Sequence, residues 1–126
     1  MTTTEPDRRL AGLRIFIAED EFHVLELIEE MLAELGCSVV ESTTSVPLAL
    51  ERAAATQAEV ALLDVNLRGK TIFAVAEILR DRAIPVVFST GYGAAGIDPE
   101  WKGSPVIQKP FAIGQLASAL RQAAGR

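Results

Sequence analysis

Three segments of the chain share one pattern, an apolar run that ends on a charged residue. They are Ile15-Phe16-Ile17-Ala18-Glu19-Asp20-Glu21, Val60-Ala61-Leu62-Leu63-Asp64 and Val106-Ile107-Gln108-Lys109-Pro110-Phe111. Consecutive apolar residues predict strands buried on both faces, as in a parallel sheet. The segments between them change to helical spacing. Val24, Leu25, Ile28, Met31, Leu32 and Leu35 fall on one face of a helix over 22–35, which Gly36 ends. Residues 38–42 form a short second strand. Ser45 suits an N-cap and Pro47 the first turn of a second helix reaching about 57, with Leu48, Leu50, Ala53 and Ala54 as packing positions. A third strand over 59–64 leads through a loop at Arg68, Gly69 and Lys70 to a helix over 73–82. Pro85 opens a fourth strand over 84–89, a tolerated place for proline. Residues 104–108 give a fifth strand, and 113–123 a last helix with Ile113, Leu116, Ala117 and Leu120 facing inward.

Five strands alternating with helices predict an α/β fold. Right-handed crossovers make it a flavodoxin-like, doubly wound, five-stranded parallel sheet in the order 2-1-3-4-5. The fourth crossover is the exception. Residues 91–103 contain four glycines and a proline. A regular helix there costs about 1 kcal/mol per interior glycine and about 3 for proline. The expectation is a shortened or irregular fourth helix, at most one turn around Asp98 to Lys102. Residues 1–11 are predicted to be a flexible tail, and 12–126 one domain.

Open α/β sheets place their sites at the carboxyl ends of the strands. Glu19, Asp20 and Asp64 therefore converge with Lys109 at one edge. Acids crowded in that way call for a divalent cation, and the lysine is a fixed counter-charge for an anion such as phosphate. The rest of the composition removes other classes. A chain of 126 residues, 49% hydrophobic and 23% charged, suits one soluble domain. No apolar run approaches the ~20 residues of a membrane span, and the polar first residues do not resemble a signal peptide. A single cysteine, Cys37, excludes an internal disulfide and fits a cytoplasmic location. The net charge of −5 argues against nucleic acid as the main partner. Between Ile15 and Glu51 there is no lysine or arginine, so the first helix carries an acidic face. That face is either simply solvated or selects a partner.

The set Glu19-Asp20, Asp64, Ser89-Thr90-Gly91 and Lys109-Pro110-Phe111, in that order and at strand ends, resembles a response-regulator receiver domain over nearly the whole chain. Val87-Phe88-Ser89-Thr90-Gly91-Tyr92 further resembles the FAT GUY subgroup of single-domain receivers, with Ser89 in place of alanine. The resemblance implies a stand-alone phosphoacceptor in two-component signalling, not an enzyme that turns over an external substrate. Asp64 would accept phosphate from a sensor histidine kinase or phosphotransfer protein. Glu19, Asp20, Asp64 and the backbone carbonyl of Asn66 would hold Mg²⁺. Thr90 and Lys109 would each meet a phosphoryl oxygen, and Lys109-Pro110 is a candidate cis peptide. The domain would then switch a protein interaction or act as a phosphate shuttle or sink, without nucleic acid or membrane as partner.

Departures from the family also matter. Glu19 stands where many receivers have aspartate. Val106 stands where many have an aromatic residue that swings inward, so that switch cannot run in its common form. Ordering of the loop 91–103 on phosphorylation is expected instead. Tyr92 is either a gate beside the phosphate site or a loop aromatic without a role. His23 is expected to be exposed, Cys37 to be a buried small residue, and Trp101 to anchor the loop or meet a partner. A haloacid dehalogenase-type hydrolase would need its nucleophile after the first strand and a second aspartate two residues on. Here Asp64 follows the third strand and Asn66 stands two residues later. The remaining alternative is a receiver-like protein-binding module that acts without phosphorylation.

Overall fold

The computed structural model describes residues 8–91 and 97–126. Its strands are β1 (Arg14–Ala18), β2 (Ser38–Thr43), β3 (Val60–Asp64), β4 (Asn66–Leu67), β5 (Lys70–Thr71), β6 (Val86–Thr90) and β7 (Val106–Gln108). Its helices are α1 (Phe22–Glu34), α2 (Val46–Ala53), α3 (Phe73–Asp81) and α4 (Ile113–Ala124). Five strands pair in the order β2-β1-β3-β6-β7, all parallel. Counting those five alone gives 2-1-3-4-5, the flavodoxin-like arrangement. Among the described residues, the crossover between β6 and β7 holds one 3₁₀ turn, Pro99–Trp101. That turn lies within the Asp98 to Lys102 stretch where one was expected. Tyr92 and residues 93–96 lie outside the described residues, and with them the expected gate and loop ordering.

Side chains of a strand alternate between faces, and here both faces are apolar. Ile15 and Ile17 of β1, Leu62 of β3 and Val87 of β6 meet Leu25, Ile28 and Leu32 of α1 and Leu116 and Leu120 of α4. Their neighbours Phe16, Leu63 and Phe88 join Ala49 and Ala53 of α2 and Val75 and Leu79 of α3. Every residue of β3 and β6 is buried. On the α3 side, Trp101 packs edge-on to Phe88 at 5.5 Å and stacks on Phe73 at 6.5 Å. The Arg80 guanidinium lies 4.3 Å from the centre of its ring and pairs with Glu100 at 3.3 Å. Trp101 is 4% exposed, so it anchors the turn onto the domain. Val106 packs against the same cluster.

Several local expectations change. Leu10 is fully buried in the core under α1 and α4, so the packed domain begins before residue 12. The Cys37 thiol donates to the Leu10 carbonyl at 3.7 Å and is only half-buried. Helix α2 stops at Ala53 rather than near 57. The Thr56 hydroxyl accepts the Ala58 amide at 3.1 Å, and Arg82 caps the Ala53 carbonyl at 2.8 Å. Such local bonds compete with continued helix. Ala49, not Ala54, is the buried alanine beside Ala53. The fourth strand begins at Val86, two residues later than expected. The expected loop at Arg68–Lys70 is an antiparallel hairpin of β4 and β5. His23 is exposed, as expected.

Two stability measurements follow from this packing. Denaturant unfolding of Leu10→Ala should show a loss of about 2–5 kcal/mol; a flexible-tail leucine would lose almost nothing. Ala83, just past α3, sits at φ 61°. Ala83→Gly should gain about 1 kcal/mol by relieving the left-handed backbone.

Candidate functional site

The sheet register levels the strand ends. Ala18 pairs with Leu63, Asp64 with Ser89, and Thr90 with Gln108. Each pairing puts the next polar side chain at the same edge. Glu19 follows β1, its amide bonded to the Thr43 carbonyl at 3.0 Å. Thr43 is itself tied to the Ile17 carbonyl through its hydroxyl at 2.9 Å. Asp64 ends β3 and Thr90 ends β6, each 5% exposed. Lys109 follows β7, its amide donating to the Thr90 carbonyl at 2.8 Å. The Lys109-Pro110 peptide is cis, as expected.

One ammonium joins the acids. Lys109 Nζ donates to Glu19 Oε1 at 3.1 Å and to Asp64 Oδ2 at 3.0 Å. A backbone amide also aims each carboxylate. Glu21 N–H donates to Glu19 Oε2 at 3.0 Å, Asn66 N–H to Asp64 Oδ1 at 3.3 Å, and Arg68 N–H to Asp20 Oδ2 at 2.8 Å. Glu19, Asp20 and Asp64 each bring one oxygen into a group within 4.8 Å of one another. This all-oxygen, carboxylate set suits a hard divalent cation such as Mg²⁺. Asn66 is exposed, and its side-chain oxygen accepts the Gly69 amide at 3.0 Å.

Burial and charge act against each other here. Burial raises the Glu19 pKa above its ordinary 4.5, and the neighbouring Asp64 carboxylate raises it further. The Glu21 amide and Lys109 offset part of this. Burial pulls the Lys109 pKa down, but the hydrogen bonds and charges of Asp64 and Glu19 outweigh it, and the net shift is upward from 10.5. Lys109 is therefore an ammonium at neutral pH, held among carboxylates that outnumber it. The local excess of negative charge is what a cation would neutralise.

The structure thus gathers Glu19, Asp20, Asp64, Thr90 and Lys109 at one edge, with Asn66 directly beyond Asp64. Sequence reasoning missed the contacts of Arg68 and Thr44. Arg68 Nε donates to the Thr44 carbonyl at 3.1 Å, and its amide donates to Asp20. The dipeptide Arg68-Gly69 was the only local signal, and without an asparagine or aspartate it reads as a plain loop.

The response regulator receiver domain family matches residues 15–121. The chain belongs to that family. The receiver is 29% identical over 128 residues to the transcriptional regulatory protein PdtaR of Mycobacterium tuberculosis, which covers 98% of this chain. It spans 62% of PdtaR's length. SdrG from Sphingomonas melonis Fr1 superimposes with a TM-score of 0.79 at 37% identity, covering 91% of this chain and 97% of SdrG. SdrG is also known in a BeF3-activated conformation, with a TM-score of 0.76 to this chain at 37% identity and 90% and 98% coverage. The receiver domain of the sensor histidine kinase PA1611 from Pseudomonas aeruginosa PAO1 holds a magnesium ion in its active-site cleft. At 24% identity, a TM-score of 0.76, and 92% and 100% coverage, it shares the fold with this chain.

Protons and cations compete for the same carboxylates. Because Glu19 is shifted upward from 4.5, acidification should protonate it before an ordinary glutamate. Titration calorimetry with Mg²⁺ over a falling pH series should show affinity lost beginning above pH 4.5. An affinity that holds until the ordinary carboxylate range would contradict the shift.

Proposed function

We propose that this receiver is a phosphoacceptor of two-component signalling, with Asp64 as the residue that takes the phosphoryl group. The observation that carries the reading is the bridge of Lys109 Nζ between Glu19 and Asp64 at the edge of three converging carboxylates. Asp64 is buried, ends a fully buried strand, and has one oxygen on Lys109 and one on a backbone amide. A carboxylate held in this way is a nucleophile of fixed position. Its oxygen would bond to the phosphorus of a phosphohistidine as the phosphorus–nitrogen bond breaks and the histidine leaves with the electron pair. Phosphoryl transfer of this kind depends on positioning and charge neutralisation.

Glu19, Asp20, Asp64 and the Asn66 carbonyl would hold Mg²⁺, which when bound supplies positive charge for the transferring phosphoryl oxygens. Lys109, already within 3.0 Å of Asp64 Oδ2, would turn its ammonium to a phosphoryl oxygen. Thr90, on the neighbouring strand, would donate its hydroxyl to another. The protein acts on itself and is not an enzyme with an external turnover. SdrG's BeF3-activated form, at 37% identity, supports the same chemistry by similarity.

The phosphodonor would be a sensor histidine kinase or a phosphotransfer protein. A groove of 520 Å³ runs from Asp20 and Lys109 along α1 to Phe111, lined by Val24, Leu27, Ile28 and Met31. Leu27 of this groove is exposed, as is Phe22 at the start of α1. An apolar groove with acidic neighbours suits an amphipathic helix of the donor. The output would be a changed protein interaction or onward passage of phosphate. Reception of phosphate from a kinase's phosphohistidine would take place in the cytoplasm; separately, among the described residues no helix is long and apolar enough to cross a membrane.

Intact-mass spectrometry after incubation with acetyl phosphate and Mg²⁺ tests the assignment. Wild type should gain one phosphoryl mass and Asp64→Ala none. Lys109→Ala should label about 10²–10³-fold more slowly, the range for losing one charge-stabilising group. A wild type that takes neither phosphoryl nor beryllofluoride would instead favour a binding module that works without phosphorylation.

A further inference from the structure

The hairpin after Asp64 turns through Arg68 and Gly69, both in the left-handed region at φ 51° and 81°. Two such residues between the paired Leu67 and Lys70 make a type I′ turn. Its first position favours asparagine, aspartate or glycine; arginine there is strained. Three bonds hold the strained turn. Arg68 N–H donates to Asp20 Oδ2 at 2.8 Å, Arg68 Nε to the Thr44 carbonyl at 3.1 Å, and Gly69 N–H to Asn66 Oδ1 at 3.0 Å.

The three carboxylates of the site are not tethered alike. Glu19 and Asp64 each have a backbone amide and the shared Lys109 ammonium. Among the described residues, the Asp20 carboxylate accepts a hydrogen bond from the Arg68 amide alone. Its direction in the acid group therefore depends on the backbone conformation of an exposed turn in another element.

We propose that Arg68 is the positioning residue for Asp20: its amide, held in left-handed geometry by the guanidinium's grip on Thr44, aims the Asp20 carboxylate at the cation position. The inference rests on the metal reading of the site. Every residue but proline has an amide, so the side chain at 68 matters through the backbone angle it permits. A metal-neighbouring group that orients a ligand changes metal affinity by about 10–100-fold when lost.

Arg68→Gly and Arg68→Val separate this role from charge. Both remove the guanidinium equally. Glycine adopts positive φ freely, whereas a β-branched residue resists it. Mg²⁺ titration calorimetry on unphosphorylated protein should show Arg68→Val binding about 10–100-fold more weakly than Arg68→Gly. Metal-free thermal unfolding of both variants checks that each is folded. In ¹H–¹⁵N spectra of metal-free wild type, the Arg68 amide should be a hydrogen-bonded resonance that moves upfield in Asp20→Ala. Equal Mg²⁺ affinity in the two variants, or an Arg68 amide indifferent to Asp20→Ala, overturns the proposal. A wild type that binds no Mg²⁺ overturns the metal reading and this proposal together, and is told apart because the two variants then have no baseline to differ from.

Discussion

A single ammonium between buried carboxylates is the constraint on which the site rests. Lys109 lies within 3.1 Å of both Glu19 and Asp64. Glu19 is 1% exposed and Asp64 5%. Burial, and after it repulsion from the Asp64 carboxylate, shifts Glu19 upward. The lysine makes that crowding tolerable, and its own raised pKa is the same interaction seen from the other side. By linkage, the stability that Lys109 contributes is fully present below its unfolded pKa near 10.5 and is lost only as pH rises beyond that through its higher folded value. Removing one member of such a group leaves the others buried and uncompensated, which is why the arrangement tolerates little change.

The fold exists to bring these groups together. Strands with apolar residues on both faces need cover on both sides, and the two helical layers supply it. Parallel register then levels the strand ends, so that residues from four separate strands share one edge. The polar groups follow each strand directly, where burial ends and backbone amides become free to aim carboxylates. The Thr90 carbonyl receiving the Lys109 amide shows the same economy, since one main-chain bond sets the lysine beside the strand that carries the threonine.

Much of this was legible because the signals were local and strong. Apolar runs ending on Glu19, Asp64 and Lys109 gave both strands and the edge where they converge, and the glycine- and proline-containing stretch signalled the short turn at Pro99–Trp101. What the chain hid depended on distant contacts. Leu10 looks like part of a polar tail until α1 and α4 are seen to cover it. The choice of Ala49 over Ala54 is set by how α2 rests on the sheet, which small side chains do not reveal. Helix α2 stops early because Arg82 of another element reaches Ala53. Arg68 gave no sign of its place because a left-handed arginine is held by Asp20 and Thr44, each more than twenty positions away.

Strand β3 has every residue buried, and it divides its side chains between both hydrophobic clusters. Opening it would require both helical layers to separate, so its amides should exchange with solvent only through unfolding of the whole domain. Asp64 is thus mounted on the least yielding part of the molecule. The hairpin that steers Asp20 is built instead from six residues, 66–71, of which only Leu67 is buried. The site joins a rigid floor to a compliant wall, and any motion that accompanies a change of state there falls to the wall.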